Sequence, residues 1–446
     1  MKSLSYLLQK LSTLGQETLD QFNLGSSDNF ALGIGRLCEA LLQLSGEASS
    51  IVIAEEIIRQ YQASDEAEKQ QFFGYLYSKL GADPEVVAEA ITRYQADGVQ
   101  GSLLALGSAC ESPRLELLKT LNTAAGGTQA LIFMREDLHK LPKDNPARDV
   151  LDQELLSLFR SWFNRGFLEL RTIDWRTPAW ILEKLIQYES VHEIRGWPDL
   201  RRRLQADSGC YGFFHPAIPG EPLIFVEAAL TDEISDNILE LLEQHPPDDD
   251  DASPNTAVFY SINNCLGGLR GVSFGNFLIK QVIEHLAHEM PHITRYVTLS
   301  PVPGFRRWLE TAVHDGLTNL DSEQQALLEA MQSDFEPGSP LRDSAELTKL
   351  LTSLCAHYLL KVKSRGNPAD AVARFHLGNG AILDRINWWA DPTENGLKQS
   401  YGLMVNYQYD RKLMGANHEA YQSRQALACS SAVKKLAGQA APVSQS

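Results

Sequence analysis

Positive charge is scarce in this sequence. Forty Lys and Arg residues stand against 57 Asp and Glu residues, which gives a formal net charge of -17 over 446 residues. Nucleic acids and anionic membrane surfaces attract proteins through a basic footprint, and this balance does not supply one. The composition therefore argues against nucleic acid and membrane as general partners. It leaves room for a local basic pocket around a single nucleotide cofactor.

Long apolar runs are also missing. No stretch approaches ~18 consecutive apolar residues, so the sequence predicts no membrane-spanning helix. The first residues, Met1 to Leu8, contain neither a signal-peptide core nor an Arg-rich presequence, and the last residues, Pro442 to Ser446, differ from the Ser-Lys-Leu peroxisomal signal. With 43% hydrophobic residues, the chain can fill the cores of about two or three domains. We expect a globular protein of the cytoplasm.

Cysteine is sparse and scattered. No CxxC pair occurs and no histidine lies at metal-ligand spacing from a cysteine, so neither a disulfide framework nor a zinc knuckle is predicted. The six cysteines are Cys38, Cys110, Cys210, Cys265, Cys355 and Cys429. The histidine cluster His285, His288 and His292 invites a metal assignment, but Pro291 breaks the helix between its second and third members. No metal site is predicted, and the thiols are expected to be buried and reduced.

The N-terminal part of the chain has a helical pattern almost throughout. Apolar residues recur at spacings of three and four, as from Leu37 to Leu41. Asp83 and Ser112 each precede a proline, a pair typical of a helix start. Strand signatures are absent. The sequence predicts an all-helical bundle domain over residues 1–165, whose apolar stripes form its core.

The rest of the chain, residues 166–446, has a mixed α/β pattern. Residues 177–188 are predicted to form a helix that a proline opens, and residues 223–230 and 256–262 to form buried strands. Between these strands, residues 245–254 are polar, acidic and interrupted by proline, which is typical of a solvated loop. We expect a second domain here, and consecutive aspartates in the loop cannot all reach one metal ion.

A glycine-bearing corner follows the second predicted strand and leads into an amphipathic helix over residues 276–286. Backbone N–H groups at such a corner and the positive end of the helix dipole favour an anion, so we expect a coenzyme pyrophosphate to bind here. A dinucleotide fold is not indicated, because no βαβ unit with an acidic residue at the required spacing follows. The expected coenzyme-binding residues are Arg270, Gly271, Val272, Ser273, Phe274, Gly275 and Asn276.

This corner is similar to the Arg/Gln-x-x-Gly-x-Gly segment of the GCN5-related N-acetyltransferase (GNAT) fold. The stretch Arg270 to Gly275 departs from that segment, because three residues lie between its glycines where the segment has one. Residues 293–300 are predicted to form a second strand, so that two strands flank the corner as a V-shaped acyl-coenzyme A groove requires.

Ser300 lies at the exit of that second strand. Pro301 and Pro303 fix their own φ angles and bias the residues before them toward extended backbone, which makes the turn stiff. Arg306 and Arg307 follow and suit a phosphate or a carboxylate. The sequence therefore favours Ser300 as a preorganised site residue, with a capping serine before an ordinary turn as the alternative.

Two histidines lie beside glycine or proline turns. His376 is flanked by Arg374, Asn379 and two glycines in what the sequence predicts to be one short polar turn. His215 lies in a proline-rich turn next to a predicted strand. A lone histidine is more often structural than catalytic, so these positions alone leave both roles open.

Taken together, the blocks resemble the malonyl-CoA decarboxylase family. They are the segments 171–175, 215–222, 268–275, 297–305, 375–381, 385–388 and 402–407. The resemblance implies an N-terminal helical domain that joins subunits into a homo-oligomer, a dimer or a tetramer. It also implies an acetyltransferase-like mixed α/β catalytic domain, which converts malonyl-CoA to acetyl-CoA and carbon dioxide without a metal or an organic cofactor.

The resemblance also carries roles for individual residues. The family's catalytic serine and histidine fall on Ser300 and His376, and a further essential histidine falls on His215. Its coenzyme loop falls on Arg270 to Asn276, and we place Asn379 and Tyr407 with the substrate-binding and coenzyme-binding residues. This chain has Ser273 where animal members carry an acidic residue, which puts a carboxylate role there in doubt.

The expected chemistry needs few residues. Loss of carbon dioxide leaves an enolate whose charge moves onto the thioester oxygen, so the protein has only to supply donors to that oxyanion. Ser300 would orient the malonyl group and His376 would deliver the proton to carbon. Two other functions stay open, an acyltransferase with an amine acceptor and a non-catalytic acyl-coenzyme A sensor.

Overall fold

The structure of the chain is a computed structural model that describes residues 30–44, 46–243, 254–272, 278–315, 320–334 and 340–439. The chain divides into two compact units. The helical unit comprises residues 1–168 with two later segments, 214–221 and 266–273, and the sheet unit comprises 169–213, 222–265 and 274–446. Within the described residues, no helix is long and apolar enough to cross a membrane.

The helical unit contains eight α-helices in its described part. They are α1 (Phe30–Gln43), α2 (Glu47–Ala63), α3 (Glu66–Lys79), α4 (Pro84–Asp97), α5 (Gln100–Ala109), α6 (Pro113–Leu121), α7 (Gly127–Lys140) and α8 (Pro146–Trp162). The helix starts follow the sequence. Asp83 caps α4 by accepting from the Glu85 and Val86 N–H groups, and Pro113 is the first residue of α6. A buried apolar face, with Phe72 and Leu76 of α3 as examples, forms the core.

The sheet unit is built on an eight-stranded mixed sheet. Its strands are β1 (Glu169–Ile173), β2 (Ser208–Phe214), β3 (Pro222–Thr231), β4 (Thr256–Asn264), β5 (Arg295–Thr298), β6 (Ser300–Pro301), β9 (Ile382–Asn387) and β10 (Met404–Gln408), and β7 (Lys363–Ser364) and β8 (Asn367–Pro368) form a separate pair. The order is β1-β2-β3-β4-β5-β10-β6, and β9 also pairs with β10. The last strand in sequence is thus internal to the sheet.

Helices surround this sheet in the described part of the unit. They are α9 (Ala179–Tyr188), α10 (Trp197–Arg203), α11 (Ile238–Glu243), α12 (Leu278–Glu289), α13 (Phe305–His314), α14 (Ser322–Asp334), α15 (Ala345–Lys361), α16 (Ala371–Gly378), α17 (Glu394–Ser400), α18 (Met414–Arg424) and α19 (Ser431–Gln439). The predicted helix 177–188 and the predicted strands 223–230 and 256–262 are confirmed as α9, β3 and β4. Most of the acidic segment 245–254 lies outside the described residues.

Strands β4 and β5 are parallel neighbours that separate at their carboxyl ends. Their pairing runs from Thr256 opposite Arg295 to Phe259 opposite Thr298, and the Leu299 N–H still donates to the Phe259 carbonyl. Beyond that point β4 continues beside β3, whereas β6 pairs with β10. The two strands therefore form the V that the sequence predicts. The expected fold class, an all-helical region followed by an acetyltransferase-like mixed α/β domain, is confirmed.

Candidate active site

Ser300 stands where β5 and β6 leave β4. Side chains alternate between the faces of a strand, and Leu299 packs into a buried cluster with Val258, Val297 and Met404 on one face of the sheet. Ser300 therefore points to the other face. Its side chain is buried there, with 5% of its surface exposed. The predicted position at the strand exit is the one that the structure shows.

His376 lies in the last turn of α16, so the prediction that it sits in a short polar turn is wrong. Asp370 begins this helix by accepting hydrogen bonds from the Val372 and Ala373 N–H groups, both at 2.9 Å. The helix ends before Gly380, whose φ of 84° and lack of a side chain are both required, because a Cβ there would collide with a backbone carbonyl. The glycines that suggested a turn belong to the end of this helix.

Ser300 and His376 meet in a chain of buried polar side chains. Ser300 Oγ lies 3.2 Å from His376 Nε2, and His376 Nδ1 lies 2.7 Å from the hydroxyl oxygen of Tyr409. On the far side of the serine, Ser300 Oγ donates to Thr298 Oγ1 at 2.8 Å. Both nitrogens of the imidazole thus have hydroxyl partners, and so does the serine.

The histidine is uncharged in this environment. Burial lowers the pKa of His376 to about 3, because desolvation penalises the imidazolium. At neutral pH one ring nitrogen therefore carries a proton and the other accepts one. The pair can exchange a proton with a reactant without placing a positive charge beside it.

Tyr407 lies under the imidazole rather than at the surface. Its ring stacks on His376 with centroids 4.6 Å apart and an interplanar angle of 22°. The Tyr407 hydroxyl is buried without a hydrogen-bond partner, and its pKa is raised by burial and by the negative charge of Asp370. Asn379 is also buried; its amide donates to the Phe375 carbonyl while its Oδ1 has no partner. Tyr407 thus shapes the position of the histidine.

Asp370 also approaches the turn that carries Ser300. Burial raises the pKa of the Asp370 carboxyl, and backbone N–H groups, that of Gly304 among them, oppose the rise. Gly304 must lack a side chain, because a Cβ there would collide with the Tyr358 hydroxyl, which lies in the same place. One buried carboxylate therefore caps the helix of His376 through Oδ1 and lies close to the turn that follows Ser300, with its Oδ2 lacking a hydrogen-bond partner.

The described half of the predicted coenzyme loop belongs to the helical unit. Arg135 of α7 is buried, and its Nη1 donates to the carbonyls of Gly268 and Arg270, both at 2.7 Å. Its Nε donates to Asp152 of α8 at 2.8 Å. Gly271 has a φ of 84°, which favours glycine. Val272 is buried in the same loop. Ser273, Phe274, Gly275 and Asn276 lie outside the described residues.

His215 also belongs to the helical unit. Its ring lies against Phe163, with centroids 4.9 Å apart, and edge-on to Phe167. Its Nδ1 accepts the Ala217 N–H at 3.1 Å. The proline-rich turn predicted around it is present as a hydrogen-bonded loop, in which His215 is buried.

The sequence reasoning missed Thr298, Asp370 and Tyr409. Thr298 lies two residues before Ser300, and Tyr409 lies two residues after Tyr407. In a strand that spacing places both members of a pair on one face, so the period of two was an available signal. Asp370 had the signature of a helix N-cap, which the assumption of a turn obscured.

Comparison with known proteins matches most of the chain to the two domains of one family. The malonyl-CoA decarboxylase C-terminal domain family matches residues 166–445, and the malonyl-CoA decarboxylase N-terminal domain family matches residues 80–163. The mitochondrial malonyl-CoA decarboxylase of Anser anser anser is 35% identical over 399 residues, which cover 82% of this chain and 79% of that protein. That of Rattus norvegicus is 36% identical over 344 residues, which cover 70% and 69%.

Solved structures agree as well. The crystal structure of malonyl-CoA decarboxylase from Rhodopseudomonas palustris has a TM-score of 0.86 at 45% identity, covering 91% of this chain and 99% of that chain. The one from Agrobacterium vitis has a TM-score of 0.84 at 44% identity, covering 91% and 100%. With both domains matched and the fold shared, this chain belongs to the malonyl-CoA decarboxylase family.

Proposed function

We propose that this protein converts malonyl-CoA to acetyl-CoA and carbon dioxide, as a carboxy-lyase that needs neither a metal nor an organic cofactor. The observation that carries the proposal is the buried contact of 3.2 Å between Ser300 Oγ and His376 Nε2, at the point where β4 and β5 separate. Family membership supports it, because the relatives are named malonyl-CoA decarboxylase.

Ser300 orients the malonyl group in this mechanism. The bond between the α-carbon and the carboxylate breaks, its electron pair moves into the thioester as an enolate, and carbon dioxide leaves. The reaction is fastest when that bond stands perpendicular to the thioester plane, and a positioned hydroxyl can hold this geometry. A charged partner would stabilise the carboxylate more in the ground state than in the transition state, where the charge is leaving it. A neutral His376 avoids that cost.

His376 then protonates the α-carbon. Its Nε2–H is the donor, and the Tyr409 hydroxyl at 2.7 Å from Nδ1 supplies a proton to the other side of the ring as the first one leaves. The Tyr409 proton is replaced from solvent. The net reaction takes up one proton and forms one C–H bond, so the step balances without a redox partner.

Other residues keep the roles that the resemblance gives them. We assign Arg270, Gly271 and Val272, with Ser273 to Asn276, to coenzyme binding, and His215 to a further catalytic role. Asn379 and Tyr407 remain proposed contributors to substrate binding, supported by the unpartnered Oδ1 of Asn379 and by the stacking of Tyr407 on His376.

The test is incubation of the purified protein with malonyl-CoA alone, with acetyl-CoA and carbon dioxide measured together. The proposal predicts both products in equal amounts, with no amine added. An acyltransferase would instead consume acetyl-CoA only when an amine is present, and an acyl-coenzyme A sensor would bind the thioester without turnover. Either of those results would overturn the proposal.

We also propose that the helical domain, residues 1–165, joins subunits into a dimer or tetramer, while residues 166–446 catalyse. Helix α4 contains no buried residue, so its apolar residues Val86 and Ile91 are exposed. The apolar residue Leu104 on α5 is exposed as well. Exposed apolar faces of this kind are typical of subunit interfaces. Replacing all three by glutamate should lower the mass measured by light scattering. An unchanged mass would exclude this face.

The location in the cytoplasm remains a prediction from the sequence. The two relatives named above are mitochondrial proteins. Fractionation of cells that produce the full chain, followed by immunoblotting, would decide the compartment.

A further inference from the structure

Thr298 is a buried residue beside Ser300 that takes no part in the reaction steps proposed for Ser300 and His376. Its side chain is 1% exposed. Its Oγ1 accepts the Tyr407 N–H at 3.2 Å and lies 2.8 Å from Ser300 Oγ, while its carbonyl accepts from Asn406 at 2.8 Å. Backbone and side-chain bonds thus fix the position of its hydroxyl with respect to the serine.

The direction of the polar chain follows from the strength of its donors and acceptors. A phenol is a better donor than an imidazole N–H, and an imidazole nitrogen is a better acceptor than a phenolic oxygen. In the 2.7 Å contact, the Tyr409 hydroxyl therefore donates to His376 Nδ1. A neutral imidazole has one proton, so that proton resides on Nε2. Nε2–H then donates to Ser300 Oγ, and the serine's own proton has to point elsewhere.

Thr298 Oγ1 is the acceptor to which that serine proton points. We propose that Thr298 is a positioning residue. Its Oγ1 accepts the hydrogen bond from the Ser300 hydroxyl and thereby helps to keep the proton of His376 on Nε2. The inference rests on the proposed decarboxylation for its importance, because Nε2–H is the donor to carbon there. It does not rest on that reaction for its geometry.

Valine has the shape of threonine without the hydroxyl. In Thr298→Val the serine hydroxyl loses its acceptor and competes to donate to His376 Nε2, which can accept only in the tautomer with the proton on Nδ1, against the preference set by the Tyr409 hydroxyl. The variant therefore favours the tautomer that cannot protonate carbon. Thr298→Ser restores an acceptor at the same place. Thr256→Val is the matched control, because Thr256 is equally buried at the other end of the same parallel strand pair.

The experiment records nitrogen-15 NMR spectra of the histidine-labelled full-length protein, with the His376 signals identified by their loss in His376→Asn. We expect the parent, Thr298→Ser and Thr256→Val to carry the proton on Nε2 and Thr298→Val to carry it mainly on Nδ1. We expect kcat to fall roughly three- to tenfold in Thr298→Val, the range of one neutral hydrogen bond, with KM unchanged. Thr298→Ser should recover most of that loss.

A parent spectrum with the proton on Nδ1 overturns the inference, even if no variant folds. A Thr298→Val spectrum with the same excess of Nε2–H as the parent overturns it as well. A parent that shows the expected tautomers but leaves malonyl-CoA intact would overturn the proposed function and support the inference about Thr298. The two failures are therefore distinct.

Discussion

Two regions that the sequence assigned to one function are built in different ways. Around Ser300 and His376, side chains bond to side chains, and the partners are neutral hydroxyl and imidazole groups. Around residues 267–271, a buried charged side chain, Arg135, bonds to main-chain carbonyls. The first arrangement fixes where protons lie. The second fixes the backbone path of the loop, which suits a loop that holds a ligand.

The largest effect is expected on kcat, from substitutions at Ser300 and His376. Ser300→Ala or His376→Asn should each lower kcat for malonyl-CoA by on the order of a hundredfold or more, the loss typical of one positioned donor or acid. Binding of free coenzyme A, measured by calorimetry, should remain nearly intact. Because the two residues act on one transition state, the double variant should be little worse than either single one.

Two outcomes would contradict the roles assigned to Ser300 and His376. If both folded single variants keep kcat within about threefold of the parent, less than about 1 kcal/mol of barrier is at stake and the catalytic assignment is wrong. If the two effects multiply instead, Ser300 and His376 act independently.

The next effect concerns how the free energy of unfolding depends on pH through His376, and it should fall as the pH falls. The pKa of His376 is about 3 in the folded protein, against an ordinary value of about 6.5. Below pH 6.5 the unfolded chain takes up a proton that the folded protein refuses, so stability is lost as the pH falls from 6.5 toward 3, at about 1.4 kcal/mol per unit. His376→Asn lacks this loss. Urea unfolding of both proteins should show that the variant gains about 2 kcal/mol on the parent between pH 7.5 and pH 5.

A gap between parent and variant that stays constant over that range would contradict a buried neutral imidazole. Any other residue that titrates in this range is common to both proteins, so its contribution cancels in the difference.

Substitution of Arg135, which bonds to the main-chain carbonyls of residues 268 and 270, should change the affinity for coenzyme A. Arg135→Lys replaces a planar fork by a single ammonium, which cannot hold two carbonyls and Asp152 together. We expect the affinity for coenzyme A to fall by about tenfold while kcat changes little, because a freer loop has to be ordered on binding. Arg114→Lys is the matched control, since Arg114 is also buried and bonds to Glu154 and to the Leu76 carbonyl.

Both lysine variants should lower the melting temperature, but only Arg135→Lys should weaken coenzyme binding in calorimetry. Equal affinities in the two variants would remove the loop from the coenzyme site.

The smallest effect concerns a single dihedral angle. Gly271→Val forces a β-branched residue to a φ of 84°, at a cost of about 1–2 kcal/mol. If backbone N–H groups of this loop approach a pyrophosphate, the affinity for coenzyme A should fall roughly fivefold, about 1 kcal/mol. Gly98→Val imposes similar strain at φ 61°, at the end of α4 with open space around it. Calorimetry should show no change in affinity for that control, and a loss of affinity in both would indicate general destabilisation.

The strands and helices with uninterrupted apolar patterns were predictable. Strands β3 and β4 and helix α9 were found because each is an apolar or amphipathic run with a clear boundary. Helix α16 was missed because it is short and ends in glycines, so its local signal resembled a turn. The serine–histidine pair came from the family resemblance. Contacts between distant segments could not come from local pattern, because Tyr409 is 33 residues from His376, and the loop carbonyl of Gly268 is 133 residues from Arg135.

The position of β10 bears on how the protein is made. Residues 404–408 form the last strand in sequence, yet this strand pairs with β5, β6 and β9 and carries Tyr407 beneath the histidine. During synthesis, β5, β6 and β9 leave the ribosome before β10, the strand with which all three pair. The active-site pair then acquires its support only when the C-terminal segment has emerged. Chains that stop before Met404 should retain no partial activity, so turnover reports complete translation as well as folding.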